Sequence, residues 1–237
     1  MNEIDRLNAR ELLEEKRALE AMIPSMEVSM SRGADWLVTE FAPEGPIMRE
    51  RDLSYCHKAT WGLYEAGRLD DVKKILDWIA ENARMGTGRY GFPEESPFNN
   101  EMQLVYRFLT FGKVAERLRH PAFSNDRTRK EILTYQHPSG GVWSNMDRPE
   151  YMRSLNPLFT SFFTQWALAA GLMEPAVRSA DFLAMMVEEN LPHMQAKQGQ
   201  FYFNYDPEID ALVTESAPDE EINCFVDTIR PAPRCAR

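Results

Sequence analysis

The sequence predicts an all-α protein built from repeated helical hairpins, with one β-hairpin late in the chain. Three observations carry that expectation: apolar residues recur at helical spacing along most of the chain, two distant segments align on an Ala-Gly turn, and glycine-aromatic loops recur behind helix pairs.

The elements follow in order. Residues 1–24 mix acids and bases at nearly every turn and carry no apolar signal core, so they read as an amphipathic surface helix. The main domain is expected over 25–216. Across both regions the 3.6-residue pattern predicts helices at 4–22, 25–41, 50–66, 69–84, 99–118, 126–136, 156–170 and 174–190, each ending at a Gly, Pro or polar cluster. Strand signal comes late, where "GQFYFNYDPEIDALVTE" (199–215) alternates aromatic and polar residues and turns at Asp206-Pro207. Its alternation places Tyr202 and Tyr205 on opposite sides. Residues 217–237 end in "RPAPRCAR", which has no periodicity to pack and reads as a tail.

The repeat is visible when "WGLYEAGRLDDVKKILDWI" (61–79) is laid on "WALAAGLMEPAVRSADFL" (166–183). Ala66-Gly67 then matches Ala170-Gly171, and Asp77-Trp78-Ile79 matches Asp181-Phe182-Leu183. Asp35-Trp36-Leu37 reads as a third copy of that last element. Glycine-aromatic loops follow at 88–92, 140–144 and 199–203. One helical hairpin cannot bury both of its apolar faces, so such units stack side by side, and curvature of the stack encloses a pocket lined by the first helix of each pair.

Composition narrows the function classes. A formal charge of −10 with scattered Lys and Arg excludes a phosphate-tracking surface, so no nucleic-acid partner is expected. The most apolar stretch, 157–173, is interrupted by Thr, Ser and Gln and is too short for a comfortable bilayer span, so no membrane span is expected. Cys56, Cys224 and Cys235 are odd in number and lack any C-x-x-C spacing, which points to a reducing cytoplasmic setting without a disulfide framework or cysteine zinc site.

Gln136, Gly141 and Trp143 in "YQHPSGGVW" (135–143) resemble the QW motif of the squalene–hopene and oxidosqualene cyclases. Together with the helix ending at Gly67 and the "NNEMQLVYRFLTFG" helix, the segment over roughly 30–216 looks like a small single-domain family of the α/α-toroid terpenoid cyclase and protein prenyltransferase superfamily. The resemblance implies an α/α-toroid, or an open α/α horseshoe, in which Gln136 caps a helix end and Trp143 stacks beside it. It implies a cyclase or isomerase of terpenoid or polyketide-type secondary metabolism, with an apolar small-molecule substrate. The alternative is a non-catalytic hydrophobic-ligand binder or a shortened inactive paralogue.

Departures from the family limit the chemistry. "RLDDV" (68–72) offers Asp70 and Asp71 at a helix start in place of a D-x-D-D acid, and no D-D-x-x-D metal motif occurs. Neither a metal nor a cofactor is implied. The eight helices fall short of a closed ring, so an open horseshoe, a shortened product or a homo-oligomer closing the open edge is expected.

Candidate site residues come from the first helices of the pairs. Tyr55, Asn100 and Phe159 stand at one common offset before Gly67, Gly112 and Gly171, each read as a helix-ending glycine, and are expected to ring one mouth. His57 shares a face with Trp61 and is either a general acid–base or a core histidine bonded to a carbonyl. Asn100 and Gln103 are either part of a helix start capped by Asn99 or groups that orient a substrate. Phe159, Phe162, Phe163 and Trp166 form an aromatic stripe that serves as core or as a wall for an apolar substrate. Tyr202 is placed at the closure of the pocket. His120, His137 and His193 read as turn or proline-flanked residues. The loop pair Glu94-Glu95 points its carboxylates apart, against glycosidase chemistry.

Overall fold

The structure, a computed structural model, describes residues 3–41, 53, 57–83, 104–144, 154–196 and 201–214. Among these residues it is mostly helical, with α1 (Glu3–Glu40), α2 (His57–Glu65), α3 (Leu69–Asn82), α4 (Leu104–Leu118), α5 (Asp126–Leu133), α6 (Pro157–Ala169) and α7 (Met173–Ala196). A two-stranded antiparallel ribbon, β1 (Tyr205–Asp206) and β2 (Ala211–Leu212), follows, with Tyr205 opposite Leu212. None of these helices is long and apolar enough to cross a membrane.

Three helices end by the same device. At Gly67, Arg119 and Gly171 the backbone turns left-handed, with φ of +74°, +52° and +73°. In each case the next N–H reaches back over the last turn: Arg68 donates to the Leu63 carbonyl at 2.9 Å, His120 to Ala115 at 2.8 Å and Leu172 to Ala167 at 2.8 Å. This pattern satisfies carbonyls that a helix end otherwise leaves open. It also sets the hairpins α2–α3, α4–α5 and α6–α7 on one register, so that residues 52 apart, such as Lys113 and Gln165 or Glu65 and Arg117, meet across neighbouring helices.

That register corrects the reading of Gly112 as a helix-ending glycine. Gly112 lies inside α4, which runs on to Leu118. A Cβ there would stand 2.8 Å from Trp166 Cδ1, so the glycine exists to let the indole lie against the helix. The position equivalent to Phe159 in the second hairpin is therefore Arg107, fully buried, and not Asn100.

Helices α2, α4 and α6 form one layer with α4 in the middle, while α3 and α7 flank α2 and α6, and α5 packs on α4. The central position of α4 explains its burial: almost every residue from Val105 to Glu116 is buried, the apolar ones in the core and Arg107, Thr110, Lys113 and Glu116 among them, as in a helix surrounded by others. Leu63, Val72, Ile75, Leu76 and Ile79 meet Phe108, Phe111, Val114, Phe163 and Trp166 in the main core. Helix α6 starts cleanly because Asn156 Oδ1 accepts the Leu158 N–H at 2.8 Å and Pro157 sits at the first turn.

Buried charge locks the second hairpin. Glu116 Oε1 and Oε2 accept Arg129 Nε and Nη2 at 2.8 and 2.6 Å, and Ser124 Oγ donates to the same carboxylate. His120 Nε2 faces Asp77 Oδ1 at 3.0 Å and ties α3 to the turn before α5.

Three expectations change. The helices expected at 4–22 and 25–41 form one, α1, which passes through Pro24; every described side chain from Glu11 to Gly33 is exposed, so water can take up the carbonyl that the proline ring leaves without a donor. Asp35-Trp36-Leu37 is not a hairpin copy: Asp35 pairs with Arg68, and Trp36 is 58% exposed where its supposed equivalent Phe182 is 1%. Tyr202 and Tyr205 are both buried, against His193 and Phe182 of α7. The alternation fails because residues 201–204 are not in a strand; Asn190 holds the Tyr202 backbone at 2.6 Å while Leu155 pairs with Tyr205.

Candidate functional site: an amine on an aromatic face

On α2 the residues Ala59, Thr60 and Leu63 are buried in the core, which turns Lys58, Trp61 and Glu65 to the opposite side. The matching residues of α4 and α6 continue that side as Tyr106, Lys113 and Arg117, then Phe162 and Gln165. The result is an aromatic face carrying one buried amine, Lys113, with the exposed Lys58 Nζ 5.5 Å from the Tyr106 ring centroid.

Lys113 is the centre of it. Its side chain is only 1% exposed, its Nζ lies 3.5 Å from the Trp61 ring centroid and 5.5 Å from that of Phe162, and it donates to Gln165 Oε1 at 3.0 Å. Burial, reinforced by the Arg117 charge one turn on and opposed by Glu65, lowers its pKa from 10.5 to about 8. Glu65 is engaged elsewhere, accepting Trp61 Nε1 at 2.9 Å and Arg117 Nη1 at 3.5 Å. Among the described residues no carboxylate lies within ion-pair distance of the amine.

The rings around it form a continuous wall. Phe162 meets Trp61 edge-on at 5.9 Å and Tyr106 at 4.8 Å; Tyr106 in turn meets His57 at 4.7 Å and Phe159 at 5.9 Å. Burial raises the pKa of the Tyr106 phenol, which stays a neutral donor through the physiological range. Such a face can hold an apolar molecule, stabilise positive charge through the ring faces, and offer a proton acceptor at mildly alkaline pH.

Of the residues singled out from sequence, His57, Trp61 and Phe159 belong to this wall. Phe163 is fully buried and packs on Trp166 at 5.2 Å on the core side of α6. Tyr202 sits against α7, held by Asn190 and His193. Tyr55, Asn100 and Gln103 fall outside the described residues, as do Asn99, Glu101, Glu94, Glu95, the three cysteines and the 88–92 loop. Lys113, Tyr106 and Gln165 were not singled out. The signal that finds Lys113 and Gln165 is the 52-residue register, which places them in one row with Trp61; no such signal marks Tyr106.

The "YQHPSGGVW" loop lies apart from this face and has an architectural task. Gln136 does not cap the helix it leaves. Its Nε2 donates to the Pro175 carbonyl at 2.9 Å and Ser179 Oγ at 2.8 Å, and its Oε1 accepts Arg178 Nη2 at 2.9 Å, so it clips the loop to α7. His137 bonds Ser139 at 2.8 Å and stacks edge-on against Trp143 at 5.2 Å; burial lowers its pKa.

The site thus defines the protein as an all-α helical-hairpin chain with a buried amine on an aromatic face. Comparison with family models, curated proteins and solved structures finds no match to the chain. Among the described residues, no group of three or more His, Cys, Asp or Glu side chains is placed to hold a metal ion.

Proposed function

We propose that the protein is a cyclase or isomerase that acts on an apolar small molecule laid against the Trp61–Tyr106–Phe162 wall. One observation carries this reading: the Lys113 amine stands at 3.5 Å from an indole face and its pKa, about 8, suits proton transfer near neutrality. Structural lysines are normally solvated or paired with carboxylates, because burying a charge on an apolar surface is costly. Here that cost is accepted at the middle of the helix layer.

In this reading the hairpins continue the curvature of an α/α-toroid or horseshoe. Holding an extended substrate in a reactive fold supplies several kcal/mol of the barrier through positioning alone. Lys113 moves the proton, and the ring faces stabilise positive charge that develops during closure or migration.

The test is to incubate the full chain with a panel of terpenoid and polyketide-type compounds and follow binding and conversion by mass spectrometry. Conversion that disappears in Lys113→Met and His57→Ala, with binding kept, is the expected result. Binding without conversion by the unaltered chain would leave only a hydrophobic-ligand binder.

A further inference from the structure

The geometry points to Lys113 as a covalent catalyst that forms an imine with the aldehyde or ketone group of an apolar substrate. The inference rests on the reading of the face as an apolar-substrate site and names the substrate class.

A lysine that serves as an anchor is met by a carboxylate, and among the described residues none lies within ion-pair distance of Lys113. Its hydrogen-bond acceptor among the described residues is the neutral amide oxygen Gln165 Oε1, at 3.0 Å. Such an acceptor orients an N–H without fixing a positive charge, which leaves the lone pair of the free amine directed away from α6. The Arg117 guanidinium is a like charge that favours the free base. An amine activated by an apolar setting and a neighbouring cation has the chemistry of a Schiff-base lysine. Among the described residues the half-buried Trp61 ring lies closest over the amine, held by the bond from Nε1 to Glu65 and by its edge-on contact with Phe162. Rotation of that indole admits a carbonyl group to Nζ, and the displaced ring lies over the substrate.

The step balances without an oxidant. The lone pair of Nζ forms a bond to the carbonyl carbon, an amine proton passes to the carbonyl oxygen, and the carbinolamine loses its hydroxyl as water when C=N forms. Protonation of that nitrogen gives an iminium that draws electrons from the adjacent C–H bond. The released proton passes to solvent and returns at another carbon, and hydrolysis frees the isomerised carbonyl compound and the amine. The iminium forms on Nζ, 5.5 Å from the Phe162 ring centroid, and that ring face meets its charge.

The experiment uses the full chain at pH 8 with decanal and sodium cyanoborohydride, followed by digestion and peptide mapping, with decanol binding followed in parallel by tryptophan fluorescence. Lys113 is expected to carry the decyl label about tenfold or more in excess of the exposed Lys16, Lys58, Lys73, Lys74 and Lys130, because its amine alone among these is buried on an aromatic face and activated there as a nucleophile. Lys113→Arg keeps a cation over Trp61 and is expected to lose that label alone. Label spread over the surface lysines, or sparing Lys113 in the unaltered chain, overturns the inference. If decanol binds while Lys113 stays unlabelled, the imine falls and the apolar-site reading stands; if neither compound binds, both fall.

Discussion

Lys113 Nζ lies 3.5 Å from the ring centroid of Trp61 and bonds Gln165, a residue 52 positions along the chain, at 3.0 Å. Two effects of opposite sign act on the amine there. The indole face favours the ammonium by about 0.5–2 kcal/mol. Burial, reinforced by the Arg117 charge, opposes it, and a pKa lowered from 10.5 to about 8 corresponds to roughly 3 kcal/mol. Burial therefore wins. Trp61→Ala, which lets water reach Nζ, is expected to raise the amine pKa by about one unit or more, although it removes the cation–π contact. Titration of the 13C-methylated lysine by NMR measures this, and a pKa that stays or falls would show that the ring contact dominates.

The same shift fixes a pH dependence. Below about pH 8 the amine is charged in both folded and unfolded chains, and the full cost of holding the ion is present. Above that pH the folded chain sheds its proton first, the unfolded chain binds more protons, and stability rises until pH reaches the ordinary lysine value of 10.5. Tyr205 works the other way above pH 10, since its pKa is raised to about 12. The clean window is therefore pH 8 to 9.5. Urea unfolding of the wild type against Lys113→Met is expected to show a rise of about 1–2 kcal/mol across it that the variant lacks. Any turnover that depends on the free amine should rise through an apparent pKa of about 8.

Much of the helical content was legible because it depends on local periodicity. The site was less so, because it depends on register. Gly67 and Gly171 announce their turns, but the middle hairpin turns at Arg119, a residue with no sequence signature for left-handed backbone. Gly112 stood nearby and drew the register toward Asn100. Once the register is reset, Lys113 falls into line with Trp61 and Gln165. Its burial could not be read locally either, since a lysine on α4 looks solvent-facing until α2 and α6 are known to cover it. In the same way Gln136 reads as a cap for its own helix, and only the fold shows that the helix it holds is α7.

The two residues that misled the register make opposite predictions. Arg119→Gly removes the side chain from a φ of +52°, where a Cβ costs about 1–2 kcal/mol, and is expected to stabilise the chain by about 0.5–1 kcal/mol after the glycine's entropy. Gly112→Ala favours helix propensity, yet the new Cβ meets Trp166 at 2.8 and 3.0 Å and Ile132 at 3.3 Å in a core without space. Overpacking wins, with a net loss of about 1–3 kcal/mol. Thermal unfolding of the two variants side by side checks the signs.

The ion pair of the second hairpin separates charge from packing. The Glu116 side chain is 2% exposed and that of Arg129 32%, so removing the arginine leaves a carboxylate buried with Ser124 as its remaining partner in that cluster. Arg129→Met is expected to cost about 3 kcal/mol at neutral pH, most of it the price of the stranded charge. Glu116→Gln with Arg129→Met removes that charge and is expected to recover the greater part, because the two sites share one interaction and cannot add. Denaturant midpoints for the two single variants and the double variant decide it: simple addition of the two losses would mean that the pair contributes only its packing.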